Sequence, residues 1–315
     1  MLLFLTKRLV VAALLLVVIS FLVFTLLTVS PGSVETTLLG VRPATPETLE
    51  AIRTEYHLNE PFLTQYWYWA RDAARLDLGR SITSGDTVTH LVGERLPVSL
   101  GLAAYTLALV VVVGIPLGLL AGMRHGTILD RAVTMLTVLG MSAPAFAVAL
   151  LLLYVFGVEL GWFPVFGPGE GFVDRIHHLT LPAIALALAL GALVVRQTRA
   201  AALDVMNEDY VTFARARGLA RRRILTAYAL RNVSLPIVTS AGFILILALS
   251  GAVLVETVFS LPGVGSLIVE SVTAKDVPVV QGVSLMLAFY VIVINVLIDL
   301  SVMVIDPRTR YAPSR

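Results

Sequence analysis

The sequence predicts an all-α integral membrane protein with six transmembrane helices and both termini cytoplasmic. Three observations carry that expectation. Only 14% of the 315 residues are charged while 57% are hydrophobic, and the mean hydropathy is +0.89. The few charged residues leave six long uncharged gaps, and lysine and arginine crowd the segments on one side of them. A soluble domain carries about 25% charged residues, so the composition excludes a soluble enzyme, a disordered chain and a nucleic-acid binder. With no cysteine, a disulfide scaffold, thiolate-bound zinc, a thiol nucleophile and an iron–sulfur cluster are excluded as well.

The gaps run Leu9–Val34, Leu96–Met123, Ala132–Val158, Ile176–Val195, Asn232–Val255 and Val277–Ile298, each of 20 to 28 residues. About 20 residues at 1.5 Å rise cross a hydrocarbon core of roughly 30 Å, so each gap holds one helix and none holds two. This places helices at about 9–30, 97–123, 132–158, 179–195, 235–259 and 282–305 of a single transmembrane domain spanning 1–315. Residues 31–96 then form an extracytoplasmic helical insertion and 196–234 a cytoplasmic loop. With the termini inside, cytoplasmic segments hold 15 of the 23 basic residues. The outer 35–95 stretch holds six of the others beside nine acids, and long loops weigh little in this rule.

Lys7 and Arg8 precede the first gap as in a signal peptide. The apolar run is too long for a 7–15-residue signal core, so it reads as an uncleaved first helix. In the insertion, Thr45 before Pro46 is an N-cap followed by proline at the first helical position, and Asn59 before Glu60 and Pro61 repeats the device. Phe62, Tyr66 and Trp69 then recur at helical spacing above Ala73, which favours packing on the membrane or a neighbouring helix. Trp67, Trp69 and Trp162 all fall in outer segments near helix ends, where amphipathic rings favour the interface.

The 196–234 loop concentrates eight arginines from Arg196 to Arg231. Small Ala214, Ala216 and Gly218 permit close approach of a partner, and Leu219, Ile224 and Leu225 offer apolar contact. On charge alone, an anchor on anionic lipid headgroups is the favoured reading, because basic loops beside membranes are common. The outer loop ETVFSLPGVGSLIVESVTAKDVPVVQG breaks its helix at Pro262, Gly263 and Gly265. A short amphipathic piece from Ser266 to Thr273 follows, which either dips toward a pore mouth or closes the loop.

Glu256 and Asp299 border apolar gaps, and an ionisable group near membrane depth is a functional candidate by default. Each either lines a pathway or outer gate with Pro262 and Gly263, or pairs with a donor to fix helix packing. His177 and His178 are adjacent, hence about 100° apart on a helix and poorly placed to share a metal. Neither H-E-x-x-H, G-x-S-x-G nor G-x-x-x-x-G-K-[ST] occurs, so neither an intramembrane enzyme nor a nucleotide site is visible. A stand-alone carrier would favour an internal inverted repeat, and none is evident.

The loop DYVTFARARGLARRRILTAYALRNVSLP, the following VETVFSLPGVG and the closing DPRTRY resemble the inner-membrane permease subunits of ABC importers for peptides. The branch is the one that includes dipeptide, oligopeptide, nickel and glutathione systems, and the type is the first permease (DppB/OppB-like). The resemblance covers nearly the whole chain, through LTVSPG, HLNEPFLTQYWYW, LDLGRSI, ERLPVSLGLA, SAPAF, LGWFP and QTRAAALDVMNEDY in order. It implies the type I importer permease fold, import of peptides or alternatively nickel, glutathione or another small solute, and no enzymatic activity in this chain. It implies as partners a second permease (DppC/OppC-like), two ATPase subunits that bind ATP and Mg, an extracytoplasmic binding protein or lipoprotein, and membrane lipid, without nucleic acid. The chain itself binds no cofactor and no metal in this reading.

For the basic loop the resemblance implies a coupling helix that docks on the ATPase, drawing on Ala214, Arg215, Ala216, Gly218, Leu219, Ile224 and Leu225. Ala214 and Gly218 match the second alanine and the glycine of the family's alanine-alanine-glycine motif. Thr212 replaces the usual glutamate, Phe213 the first alanine and Arg231 the proline, with Leu235–Pro236 following five residues late.

Overall fold

The computed structural model of the protein describes residues 2–29, 39, 45–55, 57–220 and 230–305. Eleven helices carry most of the described chain: α1 Leu2–Val29, α2 Pro46–Glu55, α3 Phe62–Ala73, α4 Val88–Met123, α5 Ile128–Ser142, α6 Ala145–Glu159, α7 Gly171–Met206, α8 Asp209–Ala216, α9 Leu230–Val258, α10 Val264–Thr273 and α11 Val277–Ile305. Among the described residues there is no strand, only a lone antiparallel bridge between Arg80 and Thr87. Five helices are long and apolar enough to span a membrane: α1, α4, α7, α9 and α11. The bent pair α5 and α6 passes the same test of length and composition when taken together, which gives six spans if the pair crosses as one.

That pair corrects the expectation of one helix over 132–158. α5 and α6 meet at 104°, because the chain is extended at Ala143 (ψ 127°) and Pro144 (ψ 135°). Proline disfavours helical geometry in the residue before it and supplies no N–H, so the helix restarts only at Ala145. The neighbouring spans are longer than their uncharged gaps. α4 reaches back to Val88 and α7 runs on to Met206, each 36 residues, with charged residues at their ends. Within α4, Val110–Gly114 widens into a π turn. Pro116 has no N–H for the carbonyl of Val112, so the ladder slips there instead of closing its normal bond.

The chain divides into two compact units: residues Met1–Val98 with Pro262–Val293, and Ser99–Leu261 with Ile294–Arg315. In the first, α3 packs its aromatic stripe on α1. Phe21 meets Phe62 and Tyr66 edge-on at 5.8 and 5.2 Å, Phe24 meets Trp69 at 5.5 Å, and Ser20 and Tyr66 share a hydroxyl hydrogen bond of 2.8 Å. The rest of α1 exposes Leu9, Val10, Leu14 and Val17, as expected of a face turned to lipid. Thr45 caps α2 by accepting from the Thr48 N–H at 3.2 Å. α3 departs from its predicted start: Asn59 is no cap, Pro61 is extended, and its carbonyl accepts from Thr64 and Gln65. Buried Asp276 accepts from the Ser81 hydroxyl (2.5 Å) and the Ile82 and Thr83 N–H groups (3.2 and 3.1 Å).

In the second unit, α7 is the central helix, with the inner part of α4, α5, α6 and α9 against it. Lipid tails are as apolar as leucine, so these helices associate by close packing rather than by escape from water. Glycine makes the close packing possible. A Cβ on Gly118 would stand 2.7 Å from the Val195 carbonyl oxygen, and one on Gly122 would stand 2.5 Å from that of Arg199. With Gly114 these form a glycine stripe at spacing four, the small-residue face expected of a membrane helix contact.

Candidate functional site

The cytoplasmic expectation concerns the segment after α7. A turn at Asn207 and Glu208 leads directly into α8, and Thr212 N–H donates to the Glu208 carbonyl oxygen at 3.2 Å. One face of α8 is an anchor. Val211 and Ala214 are buried in an apolar cluster with Leu119 of α4 and Ala202, Val205 and Met206 of α7. The opposite face is open: Tyr210, Thr212, Phe213, Ala216 and Arg217 are exposed, Phe213 to 69%.

The chain then turns back on itself. Arg217 N–H donates to the Phe213 carbonyl oxygen and Leu219 N–H to that of Ala214, which satisfies the helix end. Gly218 makes the turn with φ of +75° and open space around it. Only glycine enters that region freely, so this residue terminates α8 by backbone geometry. Leu219 folds back, half-buried, onto the same apolar cluster.

The structure thus distributes the sequence candidates over two faces. Ala214 and Leu219 face the helix bundle, while Ala216 and Gly218 lie on the surface with Phe213. Arg215 lies on α8, and its side chain is outside the described residues. Ile224 and Leu225 also fall outside the described residues. Phe213 stands in the sequence only as a departure from the motif's first alanine, and its exposure follows from the burial of Val211 and Ala214 on the other face.

A polar network braces the same end of the unit. Asp130, 3% exposed near the start of α5, accepts from Arg199 Nε at 2.5 Å and Nη2 at 2.9 Å, one bond on each carboxylate oxygen. The Gly126 N–H donates to it at 3.0 Å, His125 Nδ1 lies 3.2 Å away, and Thr127 caps α5 by accepting from the Asp130 N–H. Two residues earlier on α7, Gln197 accepts a hydrogen bond from the Ser240 hydroxyl of α9. Sequence reasoning passed over this pair, because 69 positions separate its members and each borders a different uncharged gap.

The outer candidates separate. Glu256 is fully buried on α9, where Ser99 Oγ of α4 donates to its Oε1 at 2.6 Å. In the other unit, Gly263 is buried and precedes α10, and the Ser266 hydroxyl donates to its carbonyl oxygen at 2.9 Å; Pro262 is half-buried. α10 is held on its own unit by Val264 and Leu267 against Val88, Val92, Val279 and Val283. Arg95 of α4 adds donations to Glu270 at 3.1 Å and to Ser266 at 3.3 Å. Asp299 is half-buried on α11. His177 Nε2 lies 3.0 Å from the Trp162 carbonyl oxygen and His178 Nδ1 3.0 Å from that of Asp174. Among the described residues no group of three or more potential ligands gathers where a metal could sit.

Residues 114–311 match the family model of the binding-protein-dependent transport system inner membrane component, and residues 1–103 match that of its N-terminal membrane component. A Brucella abortus protein named as a peptide transport system permease is 38% identical over 309 residues, covering 97% of this chain and 98% of the relative. The oligopeptide transport system permease protein AppB of Bacillus subtilis is 35% identical over 299 residues, covering 93% and 94%. Among solved structures, a chain of the MetNI methionine ABC transporter in inward-facing conformations matches with a TM-score of 0.56 at 18% identity. That match covers 69% of this chain and 96% of the other, a likeness of fold. The multi-span helical fold and these matches together establish that the chain belongs to the binding-protein-dependent transport system inner membrane components, the non-enzymatic permease subunits of ABC importers.

Proposed function

We propose that this permease carries peptides, and that its α8 to Leu219 segment is the contact through which an ATPase subunit drives it. The carrying observation is the two-faced construction of α8. Its inner face is built into the apolar cluster that α4 and α7 share, and its outer face presents an aromatic ring, small residues and a glycine turn to the cytoplasm. A partner that moves α8 therefore moves both spans, which a lipid-bound loop would not require. The peptide assignment rests on the names of relatives that align with nearly all of the chain.

In this reading the chain forms half of the pathway with a second permease, and two ATPase subunits supply bound ATP and Mg. A binding protein delivers substrate at the outer face. Ala216, Gly218 and Phe213 meet the ATPase; Ala214 and Leu219 transmit its movement inward, with Arg215 in the same segment and Ile224 and Leu225 following it in the sequence. Glu256 ties α4 to α9 through Ser99, while Pro262, Gly263 and Asp299 are pathway or outer-gate residues.

Purification of the tagged chain from its own membranes tests the proposal. It should bring down a second permease and ATPase chains, and the assembly in liposomes with its binding protein should accumulate di- or oligopeptide only with ATP and Mg. Transport by the chain alone, or accumulation of nickel or glutathione in place of peptide, would refute the corresponding part.

A further inference from the structure

A lever must transmit pull and twist as well as push, and packing alone resists only push. Residues Val195–Ala202 of α7 occupy two turns and meet three other spans. Gly118 and Gly122 of α4 press on the Val195 and Arg199 carbonyl oxygens. Ser240 of α9 reaches Gln197. Arg199 donates to both carboxylate oxygens of Asp130 on α5, in the two-point geometry that fixes direction as well as distance. α8 begins seven residues beyond Ala202 along the chain.

α5 stands apart among the three. It is the inner half of the bent span, ending at the 104° bend after Ser142, so its inner end is where a force can enter it. Farther out, Gly140 packs on the Leu188 carbonyl oxygen, which permits sliding; at the inner end the ion pair of buried Asp130 with half-buried Arg199 does not. We infer that Asp130 and Arg199 form a strut that makes α5 follow α7 when α8 is displaced, and that both are positioning residues for coupled transport. The inference rests on the coupling role proposed for α8. A carboxylate that is 3% exposed and bonded by a guanidinium and a backbone N–H is a stiff joint, because losing one partner leaves a desolvated charge.

The test uses the complete importer, with its own partners and binding protein, reconstituted in liposomes. Asp130→Asn, Arg199→Met, the double variant and Asp130→Glu are compared for yield of assembled complex, ATP turnover and peptide accumulated per ATP. The strut predicts normal assembly, ATP turnover within about twofold, and about a tenfold loss of peptide per ATP in each single variant, with the double no worse than either, the non-additivity expected of one shared interaction. Asp130→Glu should recover at least about a third of the wild-type ratio, since it keeps the charge-assisted pair. Unchanged peptide per ATP in both single variants would overturn the inference, as would additive losses. A fall in assembled complex that tracks the loss of uptake would also overturn it, since the pair would then be a folding contact only. Failure of the underlying reading looks different: wild type itself would show no ATP-dependent accumulation.

Discussion

Asp276 and Asp130 are both 3% exposed carboxylates, one in each compact unit, and they fasten the chain differently. Asp276 is satisfied by neutral donors, a serine hydroxyl and two successive backbone N–H groups, and it holds the loop at residues 81–83 to the turn before α11. Asp130 is satisfied chiefly by a guanidinium on another span, next to glycines that bring a third helix within touching distance. The first device orders a loop; the second joins two spanning helices. Neutral donors suffice to order the loop, whereas the contact between spans combines close backbone approach with paired charge.

The most severe way to break that contrast is to push the spans apart. Gly122→Leu would place a side chain where even a Cβ comes within 2.5 Å of the Arg199 carbonyl oxygen and 2.8 Å of Ala202 Cβ. Overpacking of this kind costs about 1–3 kcal/mol or more. Folded chain recovered by size exclusion should fall several-fold, and wild-type yield would refute the packing account.

Asp276→Ala sharpens the other side. It strands the Ile82 and Thr83 N–H groups and the Ser81 hydroxyl, at about 1–3 kcal/mol for each group left without a partner. Amide exchange at residues 81–83 should rise and thermal stability should drop, while peptide per ATP stays at the wild-type ratio. A lowered ratio would give this loop a share in coupling.

Glu256 decides between tie and gate. Glu256→Gln keeps an oxygen for the Ser99 hydroxyl and removes the charge, so uptake should remain within about twofold if the residue is a helix tie, the hydrogen bond being worth roughly 1 kcal/mol. A large loss of uptake at normal expression would mark a charge in the pathway.

The smallest effect is at Asp86, just before α4. It accepts from the Thr87 N–H at 2.7 Å and lies 2.8 Å from a His90 ring nitrogen, and these hydrogen bonds hold its carboxyl below the ordinary 3.8. Because the folded value is depressed, the contribution is present above the ordinary value and is lost as pH falls through the lower, folded one. Asp86→Asn should flatten that acid limb slightly, and an identical acid titration of stability would remove the contribution.

The spans were legible because lipid demands long uncharged runs, and the aromatic stripe of α3 because its spacing matches one helical face. The bend after Ser142 was written in SAPAF, but a proline before a new helix specifies a break and leaves its angle to packing. The glycines at 114, 118 and 122 were equally visible as a spacing, and what they touch depends on α7, some 80 residues later. Ala214 shows the limit most clearly. A small residue in a basic loop suits a partner or the protein's own bundle, and only the placement of Val211, Ala202 and Leu119 beside it turns it inward. Asp130 and Arg199 became a pair only once two distant spans lay side by side.

Gly218→Asp tests the central claim most directly. Its φ of +75° is costly for most other residues, aspartate is among the few that tolerate it, and the open space around it admits the side chain, so the fold should survive with a charge added to the proposed docking face. Measured in the reconstituted importer with all partners, the variant should assemble in the membrane yet lose substrate-stimulated ATP hydrolysis and peptide uptake together. Normal substrate-stimulated hydrolysis with normal uptake would contradict the assignment of α8 and its glycine turn as the coupling contact.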